Sequence, residues 1–357
     1  MSKIKSYLKN VHRTTPSTQS RSEYLRLDMN ENPAGLPEGF VREALSEIES
    51  GYLASYPEYS TLTKKIAEHN GIDPENICIS NGSDGAIKYI FDAYVLPGDK
   101  VLLTDPTFAM YPVYCKMFGA EPGFFPYNDD FTFSVDRFVD KISSSFSLVV
   151  LVNPNNPTGT AIEPEQIERV VQRCSEHDVL ILIDEAYFYF YDKSCIGWVN
   201  QFDNLVILRT FSKLCGLASL RLGYAAACSR IIQSLEKVKP SFDVNGVAVI
   251  LGQKILENPQ IIEEQINIIN KGKTFLKNEL EARGVEYQTG EANFFLIKCP
   301  GKVNEISEAL REKKILVAGD FKQAFLREYI RVTVGSLECM RLFCDIFFSL
   351  STKLYGA

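Results

Sequence analysis

The chain has 357 residues, 45% of them hydrophobic and 23% charged, with a formal net charge of −7. That is an ordinary globular composition, long enough for two domains, and its acidity excludes a nucleic-acid binder that works through a basic surface. No run approaches the ~18 apolar residues of a membrane span, and nine cysteines without CxxC spacing read as small apolar residues of a reducing compartment rather than a disulfide framework.

The opening MSKIKSYLKNVHRTTPS lacks the apolar centre of a signal peptide, so a cytoplasmic protein is expected. Residues 1–27 are polar and weakly patterned and are expected to form an arm or loop. A polar turn cluster, Asp28-Met29-Asn30-Glu31-Asn32-Pro33, follows. Phe40, Val41, Leu45 and Ile48 recur at helical spacing, Tyr56-Pro57 breaks the pattern, and Leu62, Ile66 and His69 predict a helix ended by Gly71. The other histidines are His12 and His177, the latter at an expected helix end where the dipole favours it. Three scattered histidines make a zinc site or a histidine-based triad a poor reading. No metal is expected, and chemistry falls to lysine, carboxylates or a cofactor.

From Ile77 strand and helix signals alternate, which predicts an α/β domain with a largely parallel sheet. Ile77–Ile79 leads through Ser80-Asn81-Gly82-Ser83-Asp84-Gly85 into a helix over Ala86–Tyr94. Val101–Leu103 ends at Asp105-Pro106-Thr107-Phe108, and Leu148–Val152 ends at Asn153-Pro154-Asn155-Asn156-Pro157-Thr158-Gly159. The next helix carries Pro164 in its first turn and Ile167, Val170, Val171 and Cys174 on one face. Val179–Ile183 ends at Asp184-Glu185-Ala186-Tyr187, and Leu205–Leu208 at Arg209-Thr210-Phe211-Ser212-Lys213, with Arg221 beyond. From about 255 the chain turns helical and charged. A smaller α+β pattern closes it: strands at 293–298 and 329–334, helices at 303–310 and 339–350. The expected division is 1–39 as an arm with part of a small domain, 40–254 as a large domain and 255–357 as the small domain.

Five strands thus end in polar, glycine-rich or ionisable residues. In open parallel sheets ligands sit outside the carboxyl ends of the strands, so Ser83, Phe108, Asn156, Asp184, Tyr187 and Lys213 are expected along one rim. A desolvated lysine is a nucleophile. A lysine, a strand-end aspartate, a helix N-terminus and an arginine suit pyridoxal 5′-phosphate: the lysine for its Schiff base, the acid for its ring nitrogen, the helix start for its phosphate.

The blocks NENP (30–33), NGSD (81–84), DPTF (105–108), NPNNPTG (153–159), DEAY (184–187), RTFSK (209–213), LRLGY (220–224) and RVTVG (331–335) resemble those of fold type I pyridoxal-phosphate aminotransferases, the histidinol-phosphate aminotransferase branch above all. The resemblance covers roughly 300 residues in the family's order. It implies a large domain with a mainly parallel sheet flanked by helices and a smaller α+β domain. By matching motif, Lys213 would carry the cofactor and move a proton. Asp184 would pair with the ring nitrogen, Tyr187 and Asn156 with the ring's phenolic oxygen, and Phe108 would stack on the ring. Ser83, Asp84, Thr210, Ser212 and Arg221 would hold the phosphate, joined by Tyr56 of a neighbouring subunit, which implies a homodimer with shared sites. Arg331 would grip the acidic end of the substrate, with Asn156 and Asn32 as further substrate contacts. The substrates implied are an amino-acid donor such as glutamate and a small carbonyl acceptor, phosphorylated or not.

The chain departs from this pattern in three places. Pro16 is followed by Ser17 where a tyrosine is usual, Ala318 closes the ILVA block where the branch has arginine, and Gly85 stands for a glutamate. The first two remove expected ligands of a substrate phosphate. The alternatives are a decarboxylase of a phosphorylated amino acid on the same fold and a non-catalytic effector-binding module. A dinucleotide-dependent dehydrogenase is disfavoured because no GxGxxG follows an early strand.

Overall fold

The computed structural model describes residues 4–11 and 20–355; His12, Pro16 and Ser17 lie outside the described residues. The strands are β1 (Leu25–Leu27), β2 (Ile77–Asn81), β3 (Lys100–Asp105), β4 (Glu121–Pro126), β5 (Phe146–Val152), β6 (Leu180–Asp184), β7 (Leu205–Thr210), β8 (Leu222–Ala227), β9 (Tyr287–Thr289), β10 (Phe294–Lys298), β11 (Ile315–Val317) and β12 (Tyr329–Thr333).

Seven strands form one sheet in the order β2-β8-β7-β6-β5-β3-β4. β8 runs antiparallel to both its neighbours, and the remaining pairs are parallel, so the other six strands point the same way. Period-two alternation builds the core. Val149, Leu151, Ile181, Ile183, Leu205 and Ile207 face one layer of helices, while Leu148, Val150, Leu182, Val206 and Leu208 face the other. Every residue of β6, β7 and β8 is buried, as a sheet covered on both faces requires.

The strongly patterned strands and helices fall where their residues predict, while the weakly patterned ones were not legible. Helix Gly82–Tyr94 starts four residues before the expected Ala86, because Gly82 to Gly85 form its first turn instead of a loop. Residues 1–27 are not all arm or loop: Leu25–Leu27 is a strand with Leu27 fully buried, parallel to β11. A three-residue strand has too little sequence to show a period. β8, reading LGYAAA, carries small residues that signal no strand. It needs them, because a Cβ at Gly223 would lie 2.5 Å from the Ser83 amide nitrogen.

The C-terminal part holds the antiparallel sheet β12-β10-β9 and the pair β1-β11. Helices Pro259–Ala282 and Leu337–Tyr355 pack against each other there. β12 brings Arg331 and Thr333 to the N-terminal residues 27–30, so the two ends of the sequence meet beside the rim of the large sheet.

Candidate active site

The carboxyl ends of β2, β3, β5, β6 and β7 make one rim. At its first corner, helix Gly82–Tyr94 starts with no side chain capping it, which leaves first-turn N–H groups free to donate to an anion. Two glycines allow the corner to close. Gly82 has φ of 69° and the Arg221 guanidinium lies where its Cβ would be, 2.5 Å away, while Gly223 brings β8 against Ser83. Arg221, itself left-handed at φ 57°, donates to Ser212 Oγ at 3.3 Å and to Ala218 O at 3.1 Å. The Ser212 amide donates to Thr210 Oγ1 at 3.1 Å. Ser83, Asp84, Thr210, Ser212 and Arg221 thus share one corner of amides, hydroxyls and one guanidinium. The Asp84 carboxylate is occupied elsewhere, accepting from Tyr114 Oη at 3.0 Å.

Asp184 closes β6 and is 2% exposed. Its Oδ2 accepts from Tyr111 Oη at 2.7 Å and its Oδ1 from the Ala186 amide at 3.0 Å. Burial pushes its carboxyl up to about 6, against the pull of those two hydrogen bonds and of Lys213. Phe108 is half-buried on the rim, its ring 6.0 Å from that of Tyr111 and nearly perpendicular to it. Lys213 Nζ donates to Met29 O at 3.0 Å. Its side chain keeps some surface open to the rim, yet protein crowds it closely. That desolvation, with Arg331 and Arg221 nearby, brings its ammonium down to about 8 despite Glu31 and Asp184.

At the other end, Tyr187 Oη accepts from Asn156 Nδ2 at 3.1 Å and from Asn30 Nδ2 at 2.7 Å. Asn156 Oδ1 accepts from Arg331 Nη1 at 2.5 Å, and Arg331 Nη2 donates to Asp28 O at 2.6 Å. The guanidinium lies 5.3 Å from the centre of the Phe294 ring. Its buried Nε has no partner among the described residues, which leaves donor capacity for an incoming acid.

Two expected residues are not gathered into this rim. Both amide hydrogens of Asn32 are engaged, with Leu214 O at 2.9 Å and Gln265 Oε1 at 2.7 Å, so it braces the backbone after Lys213. Tyr56 is 76% exposed and stacks on Phe242 at 4.4 Å. Conversely, sequence reasoning missed Tyr111 and Asn30. Tyr111 lies one helical turn past Phe108, outside the DPTF block, and Asn30 lies inside NENP with nothing local to tell its amide from those around it. Among the described residues no group of His, Cys, Asp or Glu is arranged to hold a metal ion.

This geometry agrees with the comparisons to known proteins. The family model for aminotransferase class I and II matches residues 22–347, and the chain belongs to that family. Its fold is fold type I, its cofactor is pyridoxal 5′-phosphate, and it is an aminotransferase of the histidinol-phosphate aminotransferase type. The histidinol-phosphate aminotransferase of Thermoanaerobacter sp. is 36% identical over 317 residues, covering 88% of this chain and 89% of that one. That of Clostridium kluyveri is 31% identical over 339 residues, covering 94% and 95%. Among solved structures, histidinol-phosphate aminotransferase from Sinorhizobium meliloti, in complex with pyridoxal-5′-phosphate, superposes with a TM-score of 0.87 at 22% identity, covering 98% of this chain and 99% of that one.

Proposed function

We propose that the enzyme moves an amino group between an amino-acid donor such as glutamate and a small acid-ended carbonyl compound, histidinol phosphate being the compound that its relatives' names carry. The observation that carries this is the placing of two cations on the rim: Lys213, with an ammonium brought down to about 8, and Arg331, half-buried and with no partner for its Nε among the described residues.

The cofactor, when bound, supplies the electron sink that lets a Cα–H bond ionise. The uncapped helix start at Ser83 and Asp84, with Thr210, Ser212 and Arg221, would hold its phosphate. Asp184, ionised above about 6, would keep its ring nitrogen protonated, and Tyr187 and Asn156 would face its ring oxygen. Phe108 would cover one ring face. Lys213 Nζ then holds the proton removed from Cα, because its lowered ammonium leaves a usable neutral fraction near pH 7. Arg331 binds the carboxylate of the amino donor and the acid end of the acceptor in turn, a bidentate role suited to guanidinium.

We further propose a homodimer in which Tyr56 serves the neighbouring subunit's phosphate corner; the exposed Tyr56–Phe242 stack supports it. A cytoplasmic setting fits nine free cysteines. The lobes proposed are 40–254 and 255–357, with 1–39 as an arm joined to the second.

The test is a single half-reaction. Purified holoenzyme receives glutamate, histidinol phosphate, an aromatic amino acid or a phosphorylated amine, each without acceptor, while visible absorbance is followed. Bleaching by glutamate and by histidinol phosphate supports the reading. Carbon dioxide release with the colour kept points to the decarboxylase, and bleaching by aromatic donors alone overturns the substrate assignment.

A further inference from the structure

Three consecutive residues of the N-terminal strap engage three groups of the rim. Asp28 O accepts from Arg331, Met29 O accepts from Lys213, and the Asn30 side chain donates to Tyr187. The first two contacts use only backbone and any residue could make them. The third depends on the side chain.

Asn30 is 1% exposed and sits at φ 55°, a left-handed conformation that asparagine tolerates better than most residues. Its backbone is fixed on both sides: its N–H donates to Thr333 Oγ1 at 3.0 Å and its C=O accepts from Asn293 Nδ2 at 3.3 Å. Its Oδ1 lies 3.2 Å from Thr333 Oγ1, whose one hydrogen it shares with Leu27 O at 2.9 Å, and its Nδ2 donates to Tyr187 Oη at 2.7 Å. The amide of Asn156 is oriented in the same way, since its Oδ1 holds Arg331 and its Nδ2 must face Tyr187.

A phenol oxygen has two lone pairs and one hydrogen. Here both lone pairs receive amide donors, and no acceptor for the hydrogen is found among the described residues. We propose that Asn30 is a positioning residue: with Asn156 it fills the acceptor sites of Tyr187 and so makes the Tyr187 hydroxyl an obligate donor to the bound cofactor. Without Asn30 one lone pair is open, and the hydrogen is free to turn away. The inference rests on the reading that Tyr187 faces the cofactor's ring oxygen. It also gives Asn30 and Arg331 a common link through Tyr187 and Asn156.

The test is a pH titration of the visible band of the lysine-bound cofactor in the holoenzyme, without substrate. A donor to an oxygen anion favours the anion, so its loss moves the midpoint up. Tyr187→Phe is expected to raise it by about one to two units, the size of one charge-assisted hydrogen bond. Asn30→Ala is expected to raise it in the same direction by roughly half a unit or more, and to add nothing in the Tyr187→Phe background. Asn30→Gly, which keeps the left-handed backbone without strain, guards against a folding defect and is expected to give the same shift. A wild-type midpoint in both Asn30 variants, or a shift that persists in the Tyr187→Phe background, overturns the proposal. An unshifted Tyr187→Phe instead overturns the underlying reading of Tyr187, and the proposal falls with it.

Discussion

Asp184 and Glu185 are consecutive carboxylates at the end of β6, and they face opposite sides of the sheet in opposite conditions. Glu185 Oε2 accepts from Arg209 Nε at 3.0 Å, from Arg209 Nη2 at 2.9 Å and from Ser194 Oγ at 2.7 Å, while Oε1 accepts from the Cys195 amide at 2.9 Å. Arg209 is completed by Asn70 Oδ1 at 2.6 Å and lies 3.3 Å from the centre of the Phe188 ring. The ion pair is 5% and 3% exposed, and its charges are satisfied within the fold. Asp184, as deeply buried, has two hydrogen bonds and no ion-pair partner among the described residues. A carboxylate left short of a cation inside a protein is unstable alone and suited to a cation that arrives from outside. The pair separates the two uses of a buried charge: Glu185 ties β6 to β7, and Asp184 waits for the ring nitrogen.

Exchanging either carboxylate for its amide breaks the comparison in opposite ways. Asp184→Asn is expected to lower kcat by about 10²–10³-fold, the scale of losing one preorganised electrostatic contact, while the melting temperature of the apoenzyme holds or rises. Glu185→Gln leaves the Arg209 charge buried without its partner and is expected to destabilise by about 3–5 kcal/mol. Whatever fraction remains folded should turn over at near wild-type kcat. Steady-state kinetics and thermal unfolding of the two variants decide it. Equal activity losses, or equal stability losses, would erase the distinction.

The pH dependence of apoenzyme stability sharpens the same contrast. The Asp184 pKa is raised in the folded state to about 6 from about 4, so between those values the folded state binds more protons than the unfolded one. The stability this gives is full below pH 4 and is lost as pH rises through about 6, by roughly 3 kcal/mol. Lys213 behaves in mirror image. Its pKa is lowered to about 8, so its contribution is full above about 10.5 and is lost as pH falls through about 8. Asp184→Asn should remove the lower step and leave the upper one. Tyr111→Phe deletes a donor to the carboxylate and should carry the lower step upward by about one unit or more. Urea unfolding of the apoenzyme between pH 4 and 10 measures both. A lower step that survives Asp184→Asn belongs to another group.

Asp184 was legible in the sequence and its partner Tyr111 was not, for a physical reason that holds across the site. Asp184 ends an apolar strand, and Asn156 and Lys213 follow apolar strands within four residues, so the strand-end rule places all three on one rim. Tyr111 falls within a helix of mixed residues, MYPVYCKMF, where a buried tyrosine and a packing tyrosine look alike. Asn30 and Thr333 meet across nearly the whole chain, and no local period encodes that. The parallel sheet was likewise readable from its runs of β-branched residues, whereas β8, β1 and β11 were hidden in small or three-residue segments. Asn32 shows the converse limit: an amide in a functional block was expected at the substrate and is found bracing Leu214.

The smallest expected effect concerns the position facing Arg331. Ala318 and Arg331 exchange backbone hydrogen bonds, N to O at 3.0 and 2.7 Å, so they form a directly opposed antiparallel pair whose side chains share a face. A long cation at 318 would therefore reach the same acid group that Arg331 is proposed to bind. An added charge-assisted bond to phosphate is worth about 1.5–3 kcal/mol, but two guanidinium groups on one face repel. The net expectation for Ala318→Arg is about a tenfold fall in KM for a phosphorylated substrate, with kcat and the KM for glutamate changed much less. A phosphate end can bridge both cations, whereas the smaller charge of a carboxylate offsets less of their repulsion. Should KM for glutamate fall as far, position 318 would be sensing negative charge in general rather than a phosphate.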